Sequence, residues 1–189
     1  MGQEEGPGDI MRLFAEKKCV TIAAPMVRFS RLPFRHVVRS WGCDIVYTPM
    51  IMAESFVASQ RARDVEMHTN AYDRPVIVQF AADSANQFAA ATELVAGKVA
   101  GVDLNCGCPQ QWAIKEGIGA ALLKKPDTVR FALSVPWRGM LDHAASGRHH
   151  FIVQSCLRIC TRGYRACGGS SRDGVRSASE RRSSRSSRV

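Results

Sequence analysis

Two thiols separated by a single glycine stand in the stretch LNCGCPQ at residues 104–110, with Asn105 before them and Pro109 after. A thiol in such a place can pack in a core, ligate a metal or serve catalysis. Gly107 lets the backbone approach a ligand or take a positive φ, and Pro109 sets the direction in which the chain leaves the loop. Composition alone favours packing. A Cys-x-Cys metal site needs a second pair of ligands, and His149, His150, Cys156, Cys160 and Cys167 match no standard paired spacing.

Residues that do chemistry need regular elements to hold them. VTIAAPM (20–26) is a β-branched run stopped by proline, and SRLPFRHVVRSWG (30–42) has a Ser start, apolar residues near helical spacing and a Gly stop. DIVYTPM (44–50) repeats the strand-then-proline pattern, and MAESFVASQRARD (52–64) reads as a helix or helical turn. RPVIVQFAA (74–82) suits a strand covered on both faces, and a capped, alanine-rich helix follows at 83–97. GVDLNCG (101–107) supplies a fourth strand, and EGIGAALLKK (116–125) leads into a short helix ended by Pro126. Four βα units predict an α/β fold with a parallel sheet, either open and doubly wound or half of an eight-stranded barrel. Both architectures bind ligands at the C-terminal ends of strands, which here read APM, TPM, QFA and NCGCPQ.

The segments APMVRFSRLPFR (24–35), YTPMI (47–51), VQFAA (78–82) and DLNCGCPQQWAIKEGIGAALLKKP (103–126) resemble, in order and spacing, the tRNA-dihydrouridine synthases. These are flavin enzymes that reduce particular uridines in transfer RNA. The TPM and LNCGCPQ-W forms look most like the branch acting on positions twenty-a and twenty-b of the D-loop. The resemblance covers about residues 18–129 and implies the N-terminal half of a TIM (β/α)8 barrel, FMN as cofactor, NADPH or NADH as reductant and tRNA as partner. In the family's reaction, hydride reaches C6 of uracil from reduced flavin and a proton must reach C5. The family's proton donor is the cysteine of its N-x-G-C-P motif, here Cys108, and such general-acid donation contributes about 10²–10⁴-fold. Asn105 matches a position that contacts the target uracil, and Gln79 matches a flavin-contacting glutamine. Ala24, Pro25 and Met26 match the first-strand segment that lies along the flavin. Cys106 is assigned to packing. Arg28, Arg31, Arg35 and Arg39 are read as a solvated helix face and left out of the site. Other flavin barrels, of dihydroorotate or enoate type, are not expected to carry LNCGCPQ.

The family's later features, a flavin-binding lysine, a histidine within H-G-R and glycine-rich phosphate loops, have no counterpart; no lysine follows Lys125. Composition changes at the same place. Residues 1–129 carry 14 Lys+Arg and 14 Asp+Glu, whereas 130–189 carry 12 Arg and 3 Asp+Glu, so the net charge of +9 lies in the last third. The chain divides into a lead (1–17), a partial TIM-barrel flavin-binding domain (18–129), an irregular segment (130–167) and a disordered Ser/Arg-rich tail (168–189). Four strands leave two open edges, so this truncated form is expected to fold marginally, to bind FMN weakly at best and to lack turnover. The alternative is a non-catalytic basic fragment that associates with RNA through its tail. Seven cysteines, no secretory signal and no apolar run near the roughly 18–20 residues of a membrane span imply free thiols in an intracellular, most simply cytoplasmic, protein. No metal and no membrane partner are expected, and nothing indicates an oligomeric state.

Overall fold

The computed structural model describes residues 8, 10–134, 150–154 and 165–167. The Ser/Arg tail and most of the segment before it lie outside the described residues. Strands β1 (Cys19–Ala23), β2 (Ile45–Met52), β3 (Val76–Ala81) and β4 (Gly101–Asn105) lie side by side in chain order, all parallel. Together with their connecting helices they form an α/β half-barrel, one of the two architectures that the four βα units allow and the one the family resemblance implies. Within the segment 130–167, read from the sequence as irregular, β5 (His150–Gln154) lies parallel beside β4. Strand β6 (Arg165–Cys167) runs antiparallel beside β1, so the sheet order is β5-β4-β3-β2-β1-β6.

Alternation along the strands sorts side chains onto two faces. Val76, Val78 and Phe80 of β3 and Val102 and Leu104 of β4 face the helices, where Phe56, Phe88 and Ala91 meet them. Phe80 is the hub, with edge contacts to Phe56 at 5.1 Å and Phe88 at 6.4 Å between ring centroids. On the other face, helix α1 (Ile10–Glu16) covers the start of the strands, packing Ile10, Leu13 and Phe14 on Val20, Ile45, Tyr47 and Ile77. That spacing is one helical stripe.

Helix boundaries differ from the sequence pattern where side chains find other partners. Helix α2 (Leu32–Ser40) begins after Ser30, but Ser30 does not cap it; its hydroxyl accepts from the Met26 N–H at 2.9 Å. The single helix expected at 52–64 is broken at Ser59, which is extended and caps the second piece by accepting from Ala62 N–H. The pieces are α3 (Ala53–Ala58) and α4 (Gln60–Glu66). Helix α5 (Ala85–Glu93) is capped by Ser84. Beyond β4 come α6 (Gln111–Lys115), a 3-10 helix (Gly119–Lys124) and α7 (Pro126–Ser134).

The four arginines at 28, 31, 35 and 39 are not a uniform solvated face; Arg39 is half-buried and donates to the Pro75 carbonyl. Arg28 and Arg31 are exposed, but Arg35 is 2% exposed and donates through Nε and Nη2 to Oδ2 of the fully buried Asp73, at 2.9 and 2.7 Å. Its remaining donors reach the carbonyls of Ser30 (2.7 Å) and His68 (2.8 Å). This pair ties α2 to the chain entering β3. Removing one partner strands a buried charge, so Asp73→Ala should lower unfolding free energy by about 3–5 kcal/mol. Urea denaturation checks this, and a loss below about 1 kcal/mol, the range of an exposed pair, would contradict it.

Candidate active site

The site is built on a kink in β2. Tyr47 pairs with Ile77 and Met50 with Gln79, so two residues of β2, Thr48 and Pro49, oppose one of β3, Val78. This is a β-bulge, and the extra residue reverses the alternation. Met50 and Met52 thereby face the same side as Tyr47, where the unbroken pattern would turn them toward the helices. Inside the bulge, Thr48 is 1% exposed, and its hydroxyl accepts the Gln79 N–H at 3.1 Å, taking the place of a ladder carbonyl. Met50, Gln79 and Asp103 then stand in one row across β2, β3 and β4.

A hydrogen-bond chain runs from that row into the cysteine loop. Gln79 Nε2 donates to Asp103 Oδ2 at 2.6 Å, and both residues are buried. This leaves Gln79 Oε1 as acceptor for Asn105 Nδ2 at 3.0 Å. Asn105 Nδ2 also lies 3.2 Å from Met50 Sδ. The Asn105 Oδ1 then faces forward along the chain and accepts from the backbone N–H groups of Gly107 (3.0 Å) and Cys108 (2.9 Å). Each amide's orientation is set by the one before it, because a carboxamide has one accepting and one donating end. Asn side chains commonly fold local turns this way.

Cys108 is half-buried beside Met50 and Met52, against Ala81, Ala113 and Ile118. Cys106 turns the other way, into the core between sheet and helices, 1% exposed. Burial first, and then the Asp103 carboxylate, push the Cys106 thiol from 9.0 up to about 11. The same two causes, in that order, push the Tyr47 hydroxyl far above its ordinary value. Residues 24–26 stand apart from this chain, at the C-terminal end of β1, with Met26 38% exposed. Ser30 holds them, accepting from Met26 N–H and donating to the Ala24 carbonyl at 3.3 Å.

Thus Gln79, Asn105 and Cys108 are joined by direct hydrogen bonds, and the 24–26 segment borders the same end of the sheet. Thr48, Met50 and Asp103 are additional members that motif reasoning did not single out. Among the described residues, no group of three or more His, Cys, Asp or Glu could hold a metal ion, and no helix is long and apolar enough to cross a membrane.

The residues that build this chain fall within the span, 21–135, that matches the profile of the dihydrouridine synthase (Dus) family. The chain belongs to the dihydrouridine synthase family. A human relative of that family, named tRNA-dihydrouridine(20a/20b) synthase (NAD(P)+)-like, is 48% identical over 127 residues, 67% of this chain and 40% of the relative. The Schizosaccharomyces pombe tRNA-dihydrouridine(20a/20b) synthase is 48% identical over 123 residues, 65% of this chain and 37% of that protein. The Saccharomyces cerevisiae tRNA-dihydrouridine(16/17) synthase is 39% identical over 111 residues, 57% of this chain and 26% of its own length. The chain therefore spans about 40% or less of the length of these family members.

Two outcomes check the geometry. Thr48→Val removes the acceptor of a buried N–H and should cost about 1–3 kcal/mol in urea denaturation, while Thr48→Ser keeps the hydroxyl and most of the stability. Equal midpoints for Val and Ser would rule out that role. The raised Cys106 pKa carries a sign for stability as well. Between pH 9.0 and about 11 the folded chain keeps a proton that the unfolded chain has lost. Stability therefore falls as pH rises through that window. Cys106→Ala should flatten this fall, and a pH profile unchanged by the substitution would contradict the assignment.

Proposed function

We propose that this chain carries the proton-donating half of a flavin-dependent tRNA-dihydrouridine synthase, with Cys108 as the acid. The single observation that supports this most is the bonded series from Gln79 through Asn105 to the Cys108 N–H, set at the strand ends. The names of the 20a/20b relatives favour uridines of the tRNA D-loop as substrate and NADPH or NADH as reductant.

FMN suits the residues present on its ring side. Met26 offers an exposed thioether beside Ala24 and Pro25, in a segment already fixed by Ser30, and Gln79 stands below the rim with its carboxamide oriented by Asp103. Ala24, Pro25 and Met26 would lie along the isoalloxazine, and Gln79, its carboxamide bonded to Asp103 and Asn105, would support that surface from beneath. When bound and reduced, the flavin supplies hydride to C6 of uracil.

The chain's own residues do the remainder. Asn105 holds its loop with Oδ1, while one hydrogen of Nδ2 faces only Met50 Sδ, a weak acceptor. A uracil carbonyl is a stronger acceptor and takes that hydrogen, which sets the ring beside the loop. Cys108 Sγ then gives its proton to C5 as the S–H bond breaks and the C5–H bond forms. Ala113 and Ile118 give the half-buried Cys108 an apolar wall on its protein side.

The test is liquid chromatography of nucleosides from tRNA incubated with the chain, saturating FMN and NADPH. Turnover of the truncated chain is expected to be trace at most, and Cys108→Ala should lower whatever rate is seen by about 10²–10⁴-fold. Formation undiminished by Cys108→Ala would overturn the proposal. The alternative, RNA association through the basic tail, rests on residues outside the described ones; it predicts that deleting 168–189 reduces RNA affinity and its salt dependence.

A further inference from the structure

We infer that Gly119 is a positioning residue for the Cys108 thiol, a role that deepens the proposed function and rests on Cys108 being its acid. The Cys108 peptide is gripped from both sides. Its N–H donates to Asn105 Oδ1 at 2.9 Å, and its carbonyl accepts from the Ala120 N–H at 3.0 Å. The second grip requires the start of the 3-10 helix to lie directly against the cysteine loop. Gly119 makes that approach possible. A Cβ placed there would stand 2.7 Å from the Cys108 carbonyl oxygen, 2.8 Å from its Cβ and 3.3 Å from its Cα. The first two contacts are too short for any side chain, and the atoms met are backbone or the Cβ attached to it, which cannot rotate away as the far end of a flexible side chain can.

The position is also left-handed, with φ +61°, which disfavours a side chain on its own. Gly117, two residues earlier, separates the two effects. It has φ +76°, but a Cβ there would meet only the Lys125 amine at 3.5 Å and Asp83 Cβ at 4.0 Å. Alanine at 117 therefore brings the backbone penalty alone, whereas alanine at 119 adds displacement of Cys108. The displaced thiol must leave its packing against Ala113 and Ile118.

Site-resolved alkylation of the full chain by iodoacetamide, read by mass spectrometry, tests this without flavin or RNA. The quantity is the Cys108 rate divided by the Cys19 rate in the same molecule, since Cys19 lies on β1, away from the loop. Gly119→Ala should raise this ratio by about threefold or more, and Gly117→Ala should leave it within about threefold of the unsubstituted chain. A smaller rise in Gly119→Ala, or an equal rise in both variants, overturns the inference. Should Gly119→Ala fail to fold, amide hydrogen exchange in the unsubstituted chain decides. The Cys108 and Ala120 amides should then show protection within about tenfold of each other, because one clamp opens both. A wider gap overturns the inference. If Cys108→Ala leaves uridine reduction intact while these results hold, the proposed function fails and the clamp stands.

Discussion

A carboxyl group fully buried in the fourth strand dictates how the active end of this half-barrel is arranged. Asp103 sits where a strand residue ordinarily contributes an apolar side chain, and a polar group so placed is costly unless a donor meets it. Gln79, its register partner on β3, supplies that donor at 2.6 Å. From there the orientation of every amide follows: Gln79 can offer only its oxygen onward, Asn105 must turn its nitrogen back, and the Asn105 oxygen is left to gather the loop that carries Cys108. Low local polarity strengthens each link, which makes such a chain a rigid support when it is complete.

The bulge in β2 serves the same end by a different route. One extra residue between Tyr47 and Met50 swings the following side chains onto the inner face, so that two thioethers pack against the same small cluster as the thiol. It also removes a regular ladder partner from Gln79, which Thr48 replaces with its hydroxyl. Cost and compensation are adjacent in the chain. Meanwhile Cys106, separated from Cys108 by one glycine, is committed to the core, so two thiols that look alike in sequence have different environments.

The four βα units, the sheet direction and the Asn105–Cys108 motif were legible because their signals are local: apolar runs, a proline stop, a glycine between two cysteines. The role of Arg35 was not legible, since the helical pattern around it resembles a solvated face and its partner Asp73 lies 38 residues away. Thr48 was hidden for a related reason. Its function depends on a register shift between two strands, which no single stretch records. Asp103 did leave a trace as the lone charged residue in the strand GVDLN, and reading that charge as a demand for a partner would have led to Gln79. The break of the helix at Ser59 and the failure of Ser30 to cap α2 are cases where one hydroxyl had two possible uses and local pattern could not rank them.

Asp103 sets the orientation of Asn105 through Gln79, two hydrogen bonds away. Side-chain amide NMR on Asp103→Asn and Asp103→Leu measures this directly. Asparagine can still accept from Gln79, so the Asn105 amide signals should stay near their original shifts. Leucine cannot accept, and there the Gln79 and Asn105 amide signals should move together. An Asn105 signal untouched by the leucine substitution, in a chain that remains folded, would contradict the account.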